Sequence, residues 1–237
     1  MCSNRKNLAM DLIKENFNAI PQTAFTKSGD QEFENVKVML NVLYKEIPKK
    51  PSHIIIPIPH NDFNNSICIL IKDLDRDSEL SIKKFQKILQ KQSIDVSNIR
   101  ILPLKELTLM QYVEKRKLAS TYKKYIVDKR IGHRGMGKLS KFVLKSSNHP
   151  IFVDFQKNGV AKAINYGKSH IRMALKAKGP QESVEIANLD MSKESIVENF
   201  NSSIESIIKN WPGKFENIRS IYVKAVGPTY PVYHTVE

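Results

Sequence analysis

From Ile67 to Phe155 the chain alternates strand-like and helix-like segments, and this alternation constrains the fold more than any other feature. ICILIKDL reads as a strand, Ser81 to Gln92 (SIKKFQKILQKQ) as a helix and IRILPL as a strand. Met110 to Tyr122 then reads as a helix, YIVD as a strand, Met136 to Lys145 as a helix and IFVDF as a strand. Strands separated by helices are joined by right-handed crossovers, which build a mostly parallel sheet with helices on both faces. The expectation is a doubly wound, three-layer α/β (Rossmann-like) unit.

The flanks lack that regularity. Asn7 to Phe17 spaces Leu8, Leu12, Ile13 and Phe17 along one helical face. VKVMLNVLY and HIIIPIPH read as two strands joined by a short turn, with Pro57 and Pro59 suiting an edge. After Gln156 come a short helix at Val160 to Tyr166 and the strands HIRMAL and SVEIANL. A long helix from Ser195 to Ile208, N-capped by Ser192, and a last strand IRSIYVKAV close the order. Strands and helices without alternation make an α+β fold. The economical arrangement is a split α+β domain, residues 1–62 plus 157–237, interrupted by the α/β unit at 63–156.

The chain carries 38 Lys and Arg against 24 Asp and Glu, a formal charge of +14, which suits a polyanionic partner. The excess is uneven. Residues 61–156 hold 19 basic against 10 acidic side chains, or +9, and the remaining chain 19 against 14, or +5. Between Lys115 and Lys145 eleven Lys and Arg are offset by Asp128 alone, a density that favours polyanion contact over a merely solvated face. No apolar run approaches the roughly 18 residues of a membrane helix. The charged start MCSNRKNLAM does not read as a secretory signal, so neither a membrane nor secretion is expected. Cys2 and Cys68 lie far apart and the six histidines lack ligand spacing, which gives no expectation of a metal. Cys68, inside ICILI, reads as a buried, inert thiol.

Gly132-His-Arg-Gly-Met-Gly137-Lys138 follows a strand and opens a helix, as a phosphate loop does. The next position, which would supply a hydroxyl to Mg²⁺, is Leu139, and Ser140 projects about 100° further around the helix. Nucleotide hydrolysis is therefore disfavoured, whereas a nucleic-acid phosphate needs no such ligand. Asp73, Asp75, Asp77 and Glu79 lack the glycine and terminal acid of a calcium loop and read as a solvated loop. No nucleophile or acid/base constellation stands out, so neither an enzyme nor a cofactor is expected. At the other end, Gly227-Pro228 forms a rigid turn after the last strand, where an RNA backbone can approach beside Lys224.

The strand pair ending IPIPH, the inserted α/β unit, the MGKLSKFV helix, and the closing SKESIVENF helix and IRSIYVKAVGP strand together resemble the ribosomal protein L1 family. The similarity runs from about Phe33 onwards. DKRI before a basic helix, the WPGKFENIRSIYVK segment and the PIPH strand end look closest to the eukaryotic L1 domain-containing branch. That resemblance implies a two-domain RNA-binding protein of the nucleus and nucleolus, associated with large (60S) subunit precursors. In the ribosomal branch the last strand ends Thr-Met-Gly-Pro and its threonine contacts rRNA. Here those positions are Ala225, Val226, Gly227 and Pro228, so the hydroxyl is lost. The polar residues after the family's phenylalanine become Glu34-Asn35-Val36 behind Phe33. Recognition by RNA shape and phosphate charge is implied instead.

The expected RNA contacts are Lys37, Lys168, Arg172, Lys224, Gly227 and Thr229 on the split domain, with Arg134, Lys138 and Lys141 on the insert. The partners implied are rRNA or pre-rRNA and the proteins of pre-60S particles, with the chain a monomer outside them. A protein-interaction scaffold and a structural ribosomal component are the competing expectations.

Overall fold

The computed structural model describes residues 2–25, 36–61, 66–73, 77–92, 94, 98–132, 137, 149–225 and 228–235. In chain order the first elements are α1 (Cys2–Asn18), β1 (Lys37–Tyr44), β2 (Ser52–Pro57), β3 (Ile67–Ile71), α2 (Ser78–Lys91) and β4 (Ile99–Pro103). They are followed by α3 (Leu104–Leu109), α4 (Tyr112–Thr121), β5 (Lys124–Asp128), β6 (Ile151–Val153), α5 (Phe155–Asn158) and α6 (Val160–Ser169). The last are β7 (His170–Leu175), β8 (Gln181–Asn188), α7 (Lys193–Asn210), β9 (Ile218–Lys224) and β10 (Thr229–His234). The chain gathers into two compact units, residues 1–63 with 172–237 and residues 64–171.

In the unit of residues 64–171, the parallel strands run in the order β4-β3-β5-β6. The unbroken apolar run ICILI follows from this, because a central strand of a three-layer unit is buried on both faces. Ile67, Ile69 and Ile71 join Phe85 and Leu89 of α2 in one core, while Cys68 and Leu70 join Leu107 and Leu118 in the other. Burial pushes the Cys68 thiol up to about 12, which makes it unreactive at neutral pH.

Some boundaries differ from expectation. The helix expected at Met110 to Tyr122 is α4, which starts at Tyr112 where Glu114 reaches back to the Gln111 N–H at 2.7 Å, and it is preceded by a separate short helix, α3, that was not anticipated. The helix expected at Met136 to Lys145 lies outside the described residues, Gly137 excepted. The second junction falls at 171/172 instead of 156/157. The reason is packing: α6 buries Ala163 and Ile164 in the same core as Ile126, Ile151 and Phe155, so it belongs to the α/β unit.

In the other unit β10-β9-β1-β8 form an antiparallel sheet, and β2 pairs with β7 in a separate two-stranded one. β1 and β2 are thus in different sheets and not the joined pair expected from sequence. β1 is taken up on both edges by β8 and β9. β2 instead lies under α7, where Ser202 and Ser206, one helical turn apart, donate to the carbonyls of Pro57 and Ile55 at 3.0 Å each. α7 starts as expected, with the Ser192 hydroxyl accepting from the Ser195 N–H at 3.2 Å. Its Asn199 is fully buried, donates to the carbonyls of His60 and Ile186 at 2.7 and 2.9 Å, and accepts from the His60 N–H at 2.9 Å. Phe17 of α1 stacks on Phe200 of α7 with ring centroids 3.7 Å apart. β10 was not anticipated from sequence, since Pro231 interrupts it. Proline is tolerated there because β10 is the sheet edge.

Gly167 gives a test of the α6 packing. A Cβ built there would lie 2.5 Å from Ile126 Cδ1 and 2.8 Å from its Cγ1. Gly167→Val is expected to cost about 1–3 kcal/mol in urea unfolding, and Ile126→Ala in the same chain should recover part of that loss in a double-mutant cycle.

Candidate nucleic-acid interface

Side chains alternate along β1. Val38, Leu40, Val42 and Tyr44 are buried, while Lys37, Met39, Asn41 and Leu43 occupy the other face of the strand. The register carries that second face across the sheet in rows. Glu185, Met39, Lys224 and Thr229 are directly opposed across the four strands, and Ser183, Asn41, Tyr222 and Pro231 form the next row. Lys224 and Thr229 are both exposed, and Tyr222 is half-buried. The Asn41 Oδ1 accepts from Ser183 Oγ at 2.6 Å and Gln181 Nε2 at 3.0 Å, which fixes the polar centre of the face.

Lys37 is held differently from Lys224. Its ammonium pairs with the carboxylate of Glu185, whose side chain is only 7% exposed. A nearly buried carboxylate needs that partner, so Lys37 supports the sheet as well as presenting charge. The row thus combines a compact cation, a hydroxyl and, one row away, an aromatic ring. These are the group types that contact RNA phosphates, 2′-hydroxyls and unstacked bases.

The structure brings Lys37, Lys224 and Thr229 to one end of one sheet face. Of the other expected residues, two lie on other elements and four lie outside the described residues. Lys168 lies on α6 in the α/β unit, not on the split domain, because Ala163, Ile164 and Gly167 of that helix are buried in the unit's core. Arg172 lies on β7 in the two-stranded sheet, where half-burial lowers its pKa. Gly227, Arg134, Lys138 and Lys141 lie outside the described residues. Sequence reasoning missed Asn41, Ser183, Gln181 and Tyr222. A signal was present, since Asn41 is the polar interruption in VMLNVLY and shares the parity of Lys37.

Within the basic stretch that opens at Lys115, one cation is buried and another is committed to a neighbouring carboxylate. Lys124 is only 5% exposed and its Nζ donates to the Lys168 carbonyl. Arg130 grips Asp128 through Nε at 2.9 and 3.1 Å and Nη2 at 2.6 Å, and this hydrogen bonding raises its pKa. Arg116, Lys117, Lys123 and Lys129 remain exposed. Asp154 caps α5 by accepting from the Gln156 and Lys157 N–H groups at 3.1 and 3.0 Å. Those bonds, the one from Lys157 foremost, lower its pKa. Among the described residues no group of three or more His, Cys, Asp and Glu is placed to hold a metal, and no helix is long and apolar enough to cross a membrane.

A sheet assembled from both ends of the chain, with a parallel α/β unit inserted between them in sequence, defines a protein of the ribosomal L1-like fold. The profile of the ribosomal protein L1p/L10e family matches residues 14–226, and the chain belongs to that family. It is 23% identical over 226 residues to Ribosomal L1 domain-containing protein 1 of Mus musculus, covering 92% of this chain and 49% of that protein. It is 20% identical over 209 residues to Ribosomal L1 domain-containing protein CG13096 of Drosophila melanogaster, covering 84% of this chain and 30% of that protein. The chain therefore spans half or less of the length of both relatives.

Lys124 predicts a pH dependence. Burial, helped by the nearby Lys168 charge, lowers its pKa from 10.5 to about 7. Between those values the unfolded chain binds a proton that the folded chain has released, so this group makes stability rise with pH across that window. Lys124→Met should gain stability over the parent at pH 7, and the gap should shrink as unfolding is measured toward pH 10.5.

Proposed function

We propose that this protein is a non-enzymatic RNA-binding factor that holds structured pre-rRNA during large (60S) subunit assembly in the nucleolus. The observation that carries this reading is the Lys37–Lys224–Thr229 end of the antiparallel sheet, on a chain of net charge +14. Family membership supports an RNA partner of the ribosomal kind. The loss of the threonine at Ala225 and the sparse aromatics favour contact through phosphate charge and RNA shape over base-by-base reading. Capping by Asp154 and the locked Asp128–Arg130 pair leave both carboxylates in structural roles, in keeping with a protein that binds without chemistry. Binding to pre-60S particle proteins is part of the same proposal, with the chain a monomer when free. Leu109, Tyr112 and Val113, exposed by 74%, 68% and 72% at the α3–α4 corner, favour a second role as a protein-docking scaffold within such particles.

Filter binding to a pre-rRNA fragment across a salt series tests the RNA reading. Six neutralised phosphates give a slope of log affinity against log salt of about −4 to −5. Lys224→Ala should weaken binding and make the slope shallower by about 1 with unfolding unchanged. Lys37→Ala should also reduce stability, because it removes the ion pair to the nearly buried Glu185. A parent protein whose affinity does not change with salt contradicts the proposal.

A further inference from the structure

In the sheet of residues 64–171, the strand order reverses between β3 and β5. From β3 the chain crosses to β4 on one side, and from β4 it returns past β3 to β5 on the other. The two crossovers leave opposite faces, so a crevice opens outside the carboxyl ends of β3 and β5. Open α/β sheets bind their ligands in such crevices. Here a cavity of about 170 Å³ occupies the position. Its apolar wall is Ile71 at the end of β3, Phe85 and Ile88 of α2, Phe155 of α5 and Val160 of α6. Ile88 remains 39% exposed, which extends the apolar surface outward.

Size and charge narrow the occupant. Pockets for whole small molecules usually run from about 300 to 1,000 Å³, so this one suits a single large side chain better than a nucleotide. Lys72, Lys84 and Arg130 also line it, against Asp128 as the one acid. Lys72 and Lys84 are exposed, and Asp128 is fully buried with its charge met by Arg130. The lining is therefore net positive. An apolar floor with a cationic margin is complementary to an apolar side chain carried between carboxylates.

We propose that the switch-point crevice of the α/β unit is a docking pocket for a partner protein, taking one Phe or Leu side chain from an acidic peptide segment. The side chain covers Phe85, Ile88 and Val160, and the flanking carboxylates meet Lys72 and Lys84. The site belongs to a different unit of the chain from the sheet face assigned to RNA and does not depend on that assignment.

The test uses the full chain and a fluorescein-labelled octapeptide, Asp-Glu-Asp-Phe-Leu-Glu-Asp-Asp, read by fluorescence anisotropy. A control peptide replaces its Phe and Leu with Ala at the same charge. The Phe-Leu peptide should bind at least about tenfold more tightly than the control, an increment that burial of one aromatic side chain readily supplies. Ile88→Glu should abolish that preference while pre-rRNA affinity stays unchanged, and Lys72→Glu with Lys84→Glu should weaken both acidic peptides. Methyl NMR of the parent protein gives a readout free of variant folding: the Phe-Leu peptide should shift Ile71, Ile88 and Val160. Equal binding of the two peptides, methyl shifts confined to other sites, or no binding of the Phe-Leu peptide each overturn the proposal. None of these results touches the RNA reading, which the salt series decides by itself.

Discussion

The pairing of β1 with strands from far along the chain is the constraint on which the rest depends. β1 bonds to β8 on one edge and to β9 on the other, so its neighbours come from residues 181–188 and 218–224. The sheet cannot close until the chain beyond the α/β unit is present, which makes its contacts non-local and its assembly dependent on both ends. The same pairing creates the candidate interface. Only because β1 lies between β8 and β9 do Lys37, Glu185 and Lys224 come to one end of one face. α7 then locks the arrangement, since Asn199 ties the chain after β2 to β8 through three hydrogen bonds. A buried amide left without those partners would cost about 1–3 kcal/mol per group.

Charge counted from the sequence and charge offered to a partner are different quantities. Burial lowers the Lys124 pKa to about 7, Arg130 is committed to Asp128, and Lys37 is shared with Glu185. What remains accessible on the described part of the α/β unit includes Arg116, Lys117, Lys123 and Lys129, and on the sheet face Lys224. Long-range attraction of a polyanion depends on the total field, whereas close contact depends on these accessible groups. The proposed RNA binding therefore divides into salt-sensitive attraction by the total field and orientation through a small number of defined contacts.

The α/β unit was legible in the sequence because its strands centre on apolar runs, ICILI foremost, and alternate with helix-like segments, a pattern set by burial on both faces. The start of α7 was equally plain from Ser192. What sequence could not supply was pairing across distance. β1 and β2 look like a hairpin locally, yet each finds its partner more than a hundred residues away. The second junction was misplaced because α6 is too short to reveal which core receives Ala163 and Ile164. Of the expected contact residues, Lys37, Lys224 and Thr229 fell together because strand parity aligns them, while Lys168 and Arg172 were chosen by charge alone and lie elsewhere. Asn41 and Ser183 were readable in principle as polar breaks of matching parity.

The central claim, that one sheet face contacts RNA, is tested most directly by ultraviolet crosslinking of the protein to RNA in cells. The crosslinked peptides are identified by mass spectrometry and the attached RNA by sequencing. Adducts on β1, β9 and β10 around Lys37, Tyr222, Lys224 and Thr229, carrying pre-rRNA of the large subunit, are the predicted result. Crosslinks that avoid those strands, or an absence of ribosomal RNA among the adducts, would contradict it.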